Sequence, residues 1–488
     1  GNVHVAGYFT NTVDFGAGNV TSNGQADGFV TKLNSSGAHQ WTTTFGGTDN
    51  DIGFDVAVDG AGNVHATGTF KNTVDFGAGV VVSAGGEDAF VTKLNSSGAH
   101  QWTTTFGGTG TDYSYGVAVD GSGNVYATGN FIGAVYFGSN ITSNGQSDVF
   151  VVKLNSAGQA AVGVSWQTTD GSDTNYGSIT LGGTSGDYSY WVAVDGAGNV
   201  YTTGNFSGTV NFGAGVVVSA GGVDIADSDA YVSKYNAAGA HQWTTTFGGT
   251  GGDRSYGVAV DGAGNVHVAG YFTNTVDFGA GDVTSAGDQD AFVTKLNSAG
   301  AHQWTTTFGG TGSDASYGVA VDGAGNVHVA GYFTNTVDFG AGNVTSNGQA
   351  DGFVTKLNSS GAHQWTTTFG GTGTNPHGTS TDTGFGVAVD GAGNVHVAGY
   401  FTDTVDFGAG NVTSNGKTDG FVTKLNAAGA HQWTTTFGGT GTDWSFGLAV
   451  DGSGNVHVPG RFEGTVDFGA GNVTSNGNSD VFVTKLNS

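Results

Sequence analysis

The sequence contains no cysteine, no methionine and only two prolines in 488 residues. Disulfides, thiol chemistry and cysteine-ligated metals are therefore excluded. No apolar run reaches the roughly 18 residues that a membrane-spanning helix needs, so we expect no membrane insertion. Lysine and arginine number 12 against 39 acidic residues, which gives a net charge of −27. Such a charge repels phosphate backbones, so nucleic acid is not an expected partner.

Glycine, by contrast, is abundant, with 93 residues, and aromatic residues make up 12% of the chain. This mixture is typical of many short strands joined by tight turns. Collagen is excluded because glycine has no period of three, and disorder is excluded because aromatic residues are frequent. No segment shows a helical period.

The chain is a tandem repeat. The motif Gly-Asn-Val-(His/Tyr) occurs eight times, 61 to 75 residues apart, beginning at Gly1, Gly62, Gly123, Gly198, Gly264, Gly325, Gly393 and Gly454. One repeat predicts four strands, named a to d, for example at residues 257–261, 265–272, 292–297 and 302–308. Four antiparallel strands repeated in this way are the plan of a β-propeller, in which each four-stranded sheet is one blade.

The number of blades follows from counting strands. Strands b and c occur eight times, whereas a and d occur seven times. We predict an all-β, seven-bladed propeller over residues 35–488, in which strand d at residues 39–45 closes the last blade. Residues 1–34 are then a spare b–c hairpin or part of the first blade. The alternative is an eight-bladed ring with incomplete first and last blades. A spare hairpin would offer self-association through residues 1–34, because unpaired edges template pairing.

Several strings resemble the SBBP (seven-bladed β-propeller) repeat family: Asp-Ala-Phe-Val-Thr-Lys-Leu-Asn, Trp-Thr-Thr-Thr-Phe-Gly-Gly and Tyr-Gly-Val-Ala-Val-Asp-Gly-Ala-Gly-Asn-Val. The resemblance covers essentially the whole chain. It implies a propeller on secreted or surface proteins of bacteria and archaea. The family has no agreed activity, so it implies no catalytic residues.

One carboxylate precedes strand a in all seven repeats that have this strand: Asp51, Asp112, Asp187, Asp253, Asp314, Asp382 and Asp443. In a propeller the d–a loops surround the mouth of the channel, so these residues predict a ring that attracts cations, with Ca²⁺ as a candidate ligand. The alternative is that each aspartate caps its own loop. We expect the hairpin carboxylates between strands a and b, such as Asp59, to be turn residues.

The remaining repeated polar and aromatic residues are predicted to be structural. Tryptophan at one position of strand d is expected to pack between blades: Trp41, Trp102, Trp166, Trp243, Trp304, Trp365 and Trp433. The strand-b histidines give way to Tyr126 and Tyr201 in two repeats, and Val164 replaces the strand-d histidine in one. Tyrosine is a poor zinc ligand, so both histidine sets are interpreted as packing groups. The strand-c lysines, such as Lys32, are interpreted as solvated or paired edge charges.

Insertions mark where repeats differ. They occur at residues 159–178, 223–228 and 375–381, and the last contains Pro376 and His377. Two of the three lie in the b–c and d–a loops, which share one face of a propeller. We predict that this face binds a ligand, with Pro376 and His377 as candidate contacts.

No asymmetric catalytic cluster is apparent, because nearly every polar residue is copied in each repeat. We therefore expect a non-catalytic extracellular or cell-surface module for adhesion, spacing, or binding of a protein or glycan, without a required cofactor. The alternatives are a structural subunit that polymerises by strand or hairpin exchange, and a calcium-dependent propeller hydrolase or lyase.

Overall fold

The computed structural model describes residues 2–136, 140–143, 146–160, 178–183, 185–371, 381–469, 471–475 and 479–487. Within these ranges every regular element is a β-strand, apart from a single 3-10 turn at Ile225–Asp227. It divides into a first unit, Asn2–Val258, and a second unit, Ala259–Ser488. The boundary falls inside the first strand of the fifth sheet.

Eight antiparallel sheets follow one another along the chain, and the complete ones have the strand order a-b-c-d. This is the predicted plan of propeller blades, so the all-β propeller prediction is confirmed. The strands of blades 2 to 4 are Ile52–Val58, Val64–Asp75, Val80–Leu94 and His100–Phe106; Tyr113–Val119, Val125–Phe131, Asp148–Leu154 and Ser178–Leu181; and Tyr188–Val194, Val200–Phe206, Asp229–Tyr235 and His241–Phe247.

Blades 5 to 7 have the same order. Their strands are Arg254–Val260, Val266–Phe272, Asp290–Leu296 and His302–Phe308; Ala315–Val321, Val327–Asp338, Asn343–Leu357 and His363–Phe369; and Thr383–Val389, Val395–Phe401, Asp419–Leu425 and His431–Phe437.

The blade count differs from the favoured prediction. Blade 1 has three strands, Val3–Phe9, Asp27–Leu33 and His39–Phe45. Its strand d pairs with its own strand c, from Gly28 opposite Phe45 to Leu33 opposite His39. The predicted closure of the last blade by this strand is therefore wrong, and the eight-bladed alternative is confirmed. The adjacent c–d hairpin forms because it closes a loop of a few residues, whereas closure by residues 39–45 would join the chain ends.

Blade 8 is the other incomplete blade. Strands b and c are Val456–Phe462 and Asp480–Leu486, and strand a is split into Trp444–Ser445 and Ala449–Val450. The split faces Pro459, which takes the place of an alanine or threonine in the other b strands. Proline has no N–H to donate, so the ladder between strands a and b is interrupted there.

Strand d of blade 3 lies later in the chain than predicted. Ser178–Leu181 pairs with strand c, with Leu181 opposite Val149. Leu181 thus occupies the register position of Phe45 in blade 1, and the sequence Leu-Gly-Gly replaces Phe-Gly-Gly. Trp166, which was assigned to this strand, lies outside the described residues.

The long b–c connection, a loop in the predicted four-strand repeat, forms a two-stranded arm. In blade 5 the arm strands are Thr275–Asp277 and Asp282–Thr284. The Asp277 carboxylate accepts the N–H groups of Gly279 and Gly281, whose φ angles are 107° and 105°. Only glycine adopts such angles without strain, so the Val-Asp-Phe-Gly-Ala-Gly string encodes this turn. The other separate arm strands are Thr12–Asp14 with Asn19–Thr21, Ala134–Tyr136 with Asn140–Thr142, Thr209–Asn211 with Val216–Val218, Thr404–Asp406 with Asn411–Thr413, and Thr465–Asp467 with Asn472–Thr474.

Phenylalanine clusters fill the space between blades. Phe45 of blade 1 packs on Phe76 and Phe90 of blade 2, with ring centroids 5.2 and 5.0 Å apart. Phe70 and Phe90 complete the cluster around Phe76. All four residues are buried, so strand d of blade 1 contributes aromatic area to the core of blade 2.

Tryptophan and lysine join neighbouring blades at the c–d turn. The Trp41 indole N–H and the Lys32 ammonium of blade 1 both donate to the carbonyl of Ser96 in blade 2, at 3.1 and 2.9 Å. The indole also packs on Gly98, where a Cβ would lie 2.6 Å from the ring. The same pair of donors recurs at Trp102, Trp304 and Trp365 with Lys93, Lys295 and Lys356. The predicted packing role of these tryptophans is confirmed.

Deletion of residues 2–34 tests the blade count. This deletion removes strands b and c of blade 1, including the buried Phe29 and Val30. It also leaves strand d without its partner strand. We expect the melting temperature to fall by several degrees or more, since roughly 1 kcal/mol already shifts it by a few degrees. The Phe29→Ala substitution in the intact chain should lower it in the same direction. If the deletion variant has the same melting temperature as the parent, the seven-bladed closure would be favoured instead.

Candidate binding surface

The seven aspartates before strand a are buried rather than exposed around a mouth. Asp51, Asp112, Asp187, Asp253, Asp314, Asp382 and Asp443 are all at most 1% exposed. In blade 2, Asp51 accepts the N–H of Gly47 at 2.7 Å on one oxygen and the N–H of Lys71 at 3.1 Å on the other. The same two positions donate to Asp112, Asp314 and Asp443.

These hydrogen bonds join the loop that enters a blade to the end of strand b in the same blade. The alternative role considered from the sequence, a carboxylate that caps its own loop, describes this arrangement. These side chains do not form an exposed ring, because all seven are buried and their carboxylates accept N–H groups inside the blade, as Asp51 does. Among the described residues no group of three or more acidic or histidine side chains is arranged to hold a metal ion.

Burial changes the acidity of these carboxylates. It raises the pKa of Asp51, Asp112, Asp314 and Asp382 to about 7, and two backbone N–H donors offset only part of the rise. The nearby strand-c aspartates raise it further by like-charge repulsion, as Asp88 does for Asp112.

A second set of buried carboxylates lies at the start of strand c and was not identified as a site from the sequence. Asp88 accepts the N–H of Ala84 on one oxygen, and its other oxygen has no hydrogen-bond partner. Its carboxylate lies against Gly107, where a Cβ would be 1.9 Å from the carboxyl carbon. The first glycine of Phe-Gly-Gly makes the same contact with Asp27, Asp229, Asp290, Asp351 and Asp419. The glycine is therefore required by the aspartate beside it.

The strand-b histidines and strand-c lysines meet at the hairpin aspartate. In blade 2 the His65 ring and the Lys93 ammonium lie 3.6 and 3.8 Å from one oxygen of Asp59. The other oxygen accepts two backbone N–H groups of the turn. Burial lowers the pKa of His65 to about 4, so the ring is neutral. In blade 3 the Tyr126 hydroxyl donates to Asp120 instead. The packing role predicted for the histidines, and the turn role of Asp59, are confirmed.

The predicted ligand contacts Pro376 and His377 lie outside the described residues. Their neighbour in the prediction, Asp382, accepts the N–H groups of Gly371 and Thr402 and is buried. The face formed by the d–a and b–c loops stays a prediction.

A different surface stands out, at the edge strand a of each sheet. In blade 2, Gly53 pairs with Gly68 and Asp55 pairs with Thr67, so Phe54 is the extra residue of a β-bulge. The same shift places an aromatic residue in the bulge of blades 3, 4, 6 and 7, namely Tyr115, Tyr190, Tyr317 and Phe385. Bulges re-aim a side chain and are frequent beside functional sites.

Strand b accommodates the bulge with a glycine. A Cβ at Gly68 would lie 1.8 Å from the carbonyl oxygen of Ile52 on strand a. At Gly129, Gly331 and Gly399 the corresponding distances are 1.8, 2.0 and 1.9 Å. The glycine inside strand b is a signal for a bulge that sequence reasoning could have used.

In the second unit the bulged residues belong to a continuous aromatic row. Ring centroids lie 5.1 Å apart between Tyr317 and Phe385, 5.5 Å between Phe385 and Tyr400, and 5.3 Å between Tyr400 and Trp444. We define the second-unit row by its members, which are Tyr317, Tyr332, Phe385, Tyr400, Trp444 and Phe446. It crosses blades 6, 7 and 8.

The first unit has its own row in blades 2 to 5. Phe54 contacts Tyr115 at 5.4 Å, and Tyr190 contacts Tyr256 at 5.5 Å. We define the first-unit row as Phe54, Tyr113, Tyr115, Tyr188, Tyr190 and Tyr256.

Each row is partly exposed to solvent. Phe54 and Phe446 are 40% and 50% exposed, and Trp191, a neighbour of the first-unit row, is 54% exposed. The other bulge residues of the rows are half-buried, namely Tyr115, Tyr190, Tyr317 and Phe385. Large aromatic residues are usually buried, so aromatic residues that are only partly buried at one position in successive blades indicate a contact surface. The signal in the sequence is an aromatic residue three positions after each buried aspartate, while the residue directly after the aspartate varies.

A family model described as the SBBP beta-propeller repeat matches the chain at residues 101–130, 242–275 and 303–336. The described residues include no helix of the length and hydropathy that crossing a membrane requires.

Two curated proteins are similar to the chain. An uncharacterized WD repeat-containing protein of Acanthamoeba polyphaga mimivirus is 23% identical over 386 residues, which are 66% of this chain and 27% of that protein. The regulatory protein FlaEY of Caulobacter vibrioides is 25% identical over 416 residues, which are 80% of this chain and 40% of that protein. The chain thus spans less than half the length of these relatives.

Among solved structures, the WD40 beta propeller domain of Doa1 has a TM-score of 0.38 at 10% identity, covering 85% of this chain and 92% of that chain. Sqt1 from Chaetomium thermophilum has a TM-score of 0.37 at 12% identity, covering 84% and 94%.

The raised carboxylate pKa values predict a pH-dependent stability. Asp419 is buried, one of its oxygens has no partner, and burial raises its pKa to about 7. A raised pKa favours the folded protonated form, so its stabilising effect is lost as the pH rises through 7. Asp419→Asn mimics the protonated acid. We expect its melting temperature to rise relative to the parent between about pH 5 and about pH 9, by the equivalent of a few kcal/mol at about 1.4 kcal/mol per pKa unit.

Asp406→Asn is the matched control for this experiment. Asp406 lies on an arm of the same blade, and two glycine N–H groups lower its pKa, so it is ionised throughout this range. Asparagine is native at the equivalent Asn211, where it makes the same two bonds. The control should therefore differ from the parent by the same amount at both pH values. An equally constant difference for Asp419→Asn would contradict the prediction.

Proposed function

We propose that this chain of SBBP β-propeller repeats is a non-catalytic protein-binding module that contacts its partner through the two aromatic rows. The observation that carries the proposal is the bulge that presents an aromatic side chain at the sheet edge in successive blades. The similarity to a WD repeat-containing protein and to a regulatory protein supports a binding role.

The rows have the composition of a binding surface. Tyrosine, tryptophan and phenylalanine supply large contact areas at a small cost in side-chain entropy, and they are enriched where proteins bind one another. Their backbone is held by the buried aspartates and by the sheet, so little order has to be gained on binding.

A non-catalytic role is supported by how the polar groups are used. The repeated aspartates hold backbone N–H groups, and the repeated histidines and lysines hold the hairpin aspartates. A catalytic site needs a distinct cluster of polar groups that face a substrate. We further propose that the module acts outside the cell or at its surface, as the SBBP resemblance implies, in adhesion or as a spacer between other domains.

Selection from a displayed random peptide library tests the proposal. The parent is the bait, and counter-selection uses a variant in which Tyr317, Phe385 and Phe446 are each changed to leucine. We expect enriched peptides that bind the parent and lose roughly tenfold or more in affinity on the variant, since hot-spot aromatic residues contribute most of the binding energy. The Tyr136→Leu variant is the control, because this tyrosine is 61% exposed on an arm outside both rows.

The contradicting outcomes are equally specific. Peptides that bind parent and row variant alike would move the contact surface elsewhere. A glycan array would be probed in parallel with the parent and the row variant. If the parent binds glycans that the row variant does not bind, and no peptide distinguishes the two proteins, the rows bind carbohydrate and not protein. Association of the parent with itself in sedimentation experiments, lost with residues 2–34, would favour the polymerising subunit.

A further inference from the structure

The chain places its own cations on aromatic faces. The Arg461 guanidinium lies 4.0 Å from the ring centroid of Trp444, at the end of the second-unit row. Lys153 and Lys234 lie over Tyr126 and Tyr201 at 5.3 and 5.2 Å. A cation within about 6 Å of a ring centroid is attracted by the negative face of the ring. Aromatic rings of this chain thus already hold its own cations, at the buried Tyr126 and Tyr201 and at Trp444 of the second-unit row.

Arginine is otherwise almost absent. The sequence contains two arginines. Arg461 lies over Trp444 of the second-unit row, and Arg254 lies two residues before Tyr256 of the first-unit row. Burial raises the pKa of Tyr190 to about 12, and the neighbouring charge of Arg254 opposes that rise. The two tryptophans that are not part of the strand-d series, Trp191 and Trp444, also lie at the rows. Arginine and tryptophan, which form the strongest guanidinium–aromatic stacks, are thus concentrated beside the aromatic rows.

The charge of the chain selects the sign of a partner. With 39 acidic and 12 basic residues, the protein attracts cations at long range and repels anions. The rows add short-range faces for those cations, because no cation among the described residues lies over the exposed ring of Phe446. Steering by net charge and stacking on rings therefore favour the same ligand.

We propose that the aromatic rows bind the guanidinium groups of an arginine-rich segment of a partner protein. This inference rests on the proposed protein-binding function and specifies the chemistry of the partner. Alternate side chains of an extended segment point the same way, roughly 7 Å apart. Arginines at alternate positions can therefore reach rings in successive members of a row.

The test compares peptides on a variant of unchanged net charge. The row variant carries leucine at Phe54, Tyr115, Tyr190, Tyr317, Phe385 and Phe446, which keeps apolar bulk and removes the rings. The probes are octa-arginine, octa-lysine and octa-glutamate, titrated calorimetrically at an ionic strength of about 0.15 M, where long-range attraction is largely screened. Circular dichroism and the melting temperature establish that the variant is folded. If the six leucines prevent folding, two variants with three leucines each, one for each row, take the place of the row variant. The number of octa-arginine molecules bound per protein is then compared between each of these variants and the parent.

We expect octa-arginine to bind the parent more tightly than octa-lysine, and octa-glutamate not to bind. The row variant should lose roughly tenfold or more in affinity for octa-arginine, since several cation–π contacts are removed together. Tyr136→Leu should bind as the parent does. Equal binding of octa-arginine to parent and row variant would overturn the inference and assign the attraction to diffuse charge. Library peptides that depend on the rows but lack arginine would overturn it too, while leaving the protein-binding function in place.

Discussion

The buried carboxylate that precedes strand a holds each blade entrance together. Its two oxygens accept N–H groups from the second glycine of Phe-Gly-Gly and from the residue that follows the strand-b phenylalanine, as Asp314 does with Gly310 and Thr334. The bulged aromatic residue follows three positions later. Loss of this aspartate would leave two buried backbone donors unpaired, each a cost of about 1–3 kcal/mol. The geometry of the aromatic rows therefore depends on a residue that does not belong to them.

Much of the fold is encoded locally and could be predicted from the sequence. Strand d at His302–Phe308 has the predicted bounds, because alternating polar and apolar residues end at a glycine pair. The hairpin at Asp261 was also predictable, since aspartate followed by glycine determines a tight turn. The choice between seven and eight blades was not local. It depended on whether strand d at His39–Phe45 pairs with strand c of blade 1 or with strand c of blade 8. Because the strand-c sequences of the repeats are nearly the same, the sequence of strand d does not distinguish these two partners.

The candidate site was misjudged for a physical reason. Repetition of an aspartate at one position shows that the position matters, but burial is a property of the surrounding chain. The partners of Asp51 are backbone N–H groups at Gly47 and Lys71, which carry no side-chain signal. The bulge had a signal, the glycine inside strand b opposite the aromatic residue. It was visible only when the two strands were considered as a pair, since Gly68 is explained by Ile52 across the sheet.

Because nearly every polar residue is repeated, the sequence shows no single catalytic site, but the same repetition produces an extended binding surface. A residue copied into successive blades is placed at a regular interval along a unit, so a modest contact at each position becomes a multivalent surface for a partner with regularly spaced groups. Near-identical repeats could acquire such a surface in one step, by duplication of a blade that already carried its aromatic residue. Variation of the neighbouring residue, from Ala315 to Trp444, then adjusts each contact without changing the backbone that the buried aspartate holds. A binding surface of this kind gains affinity by the number of its blades, and its chemistry is determined by what all the blades share.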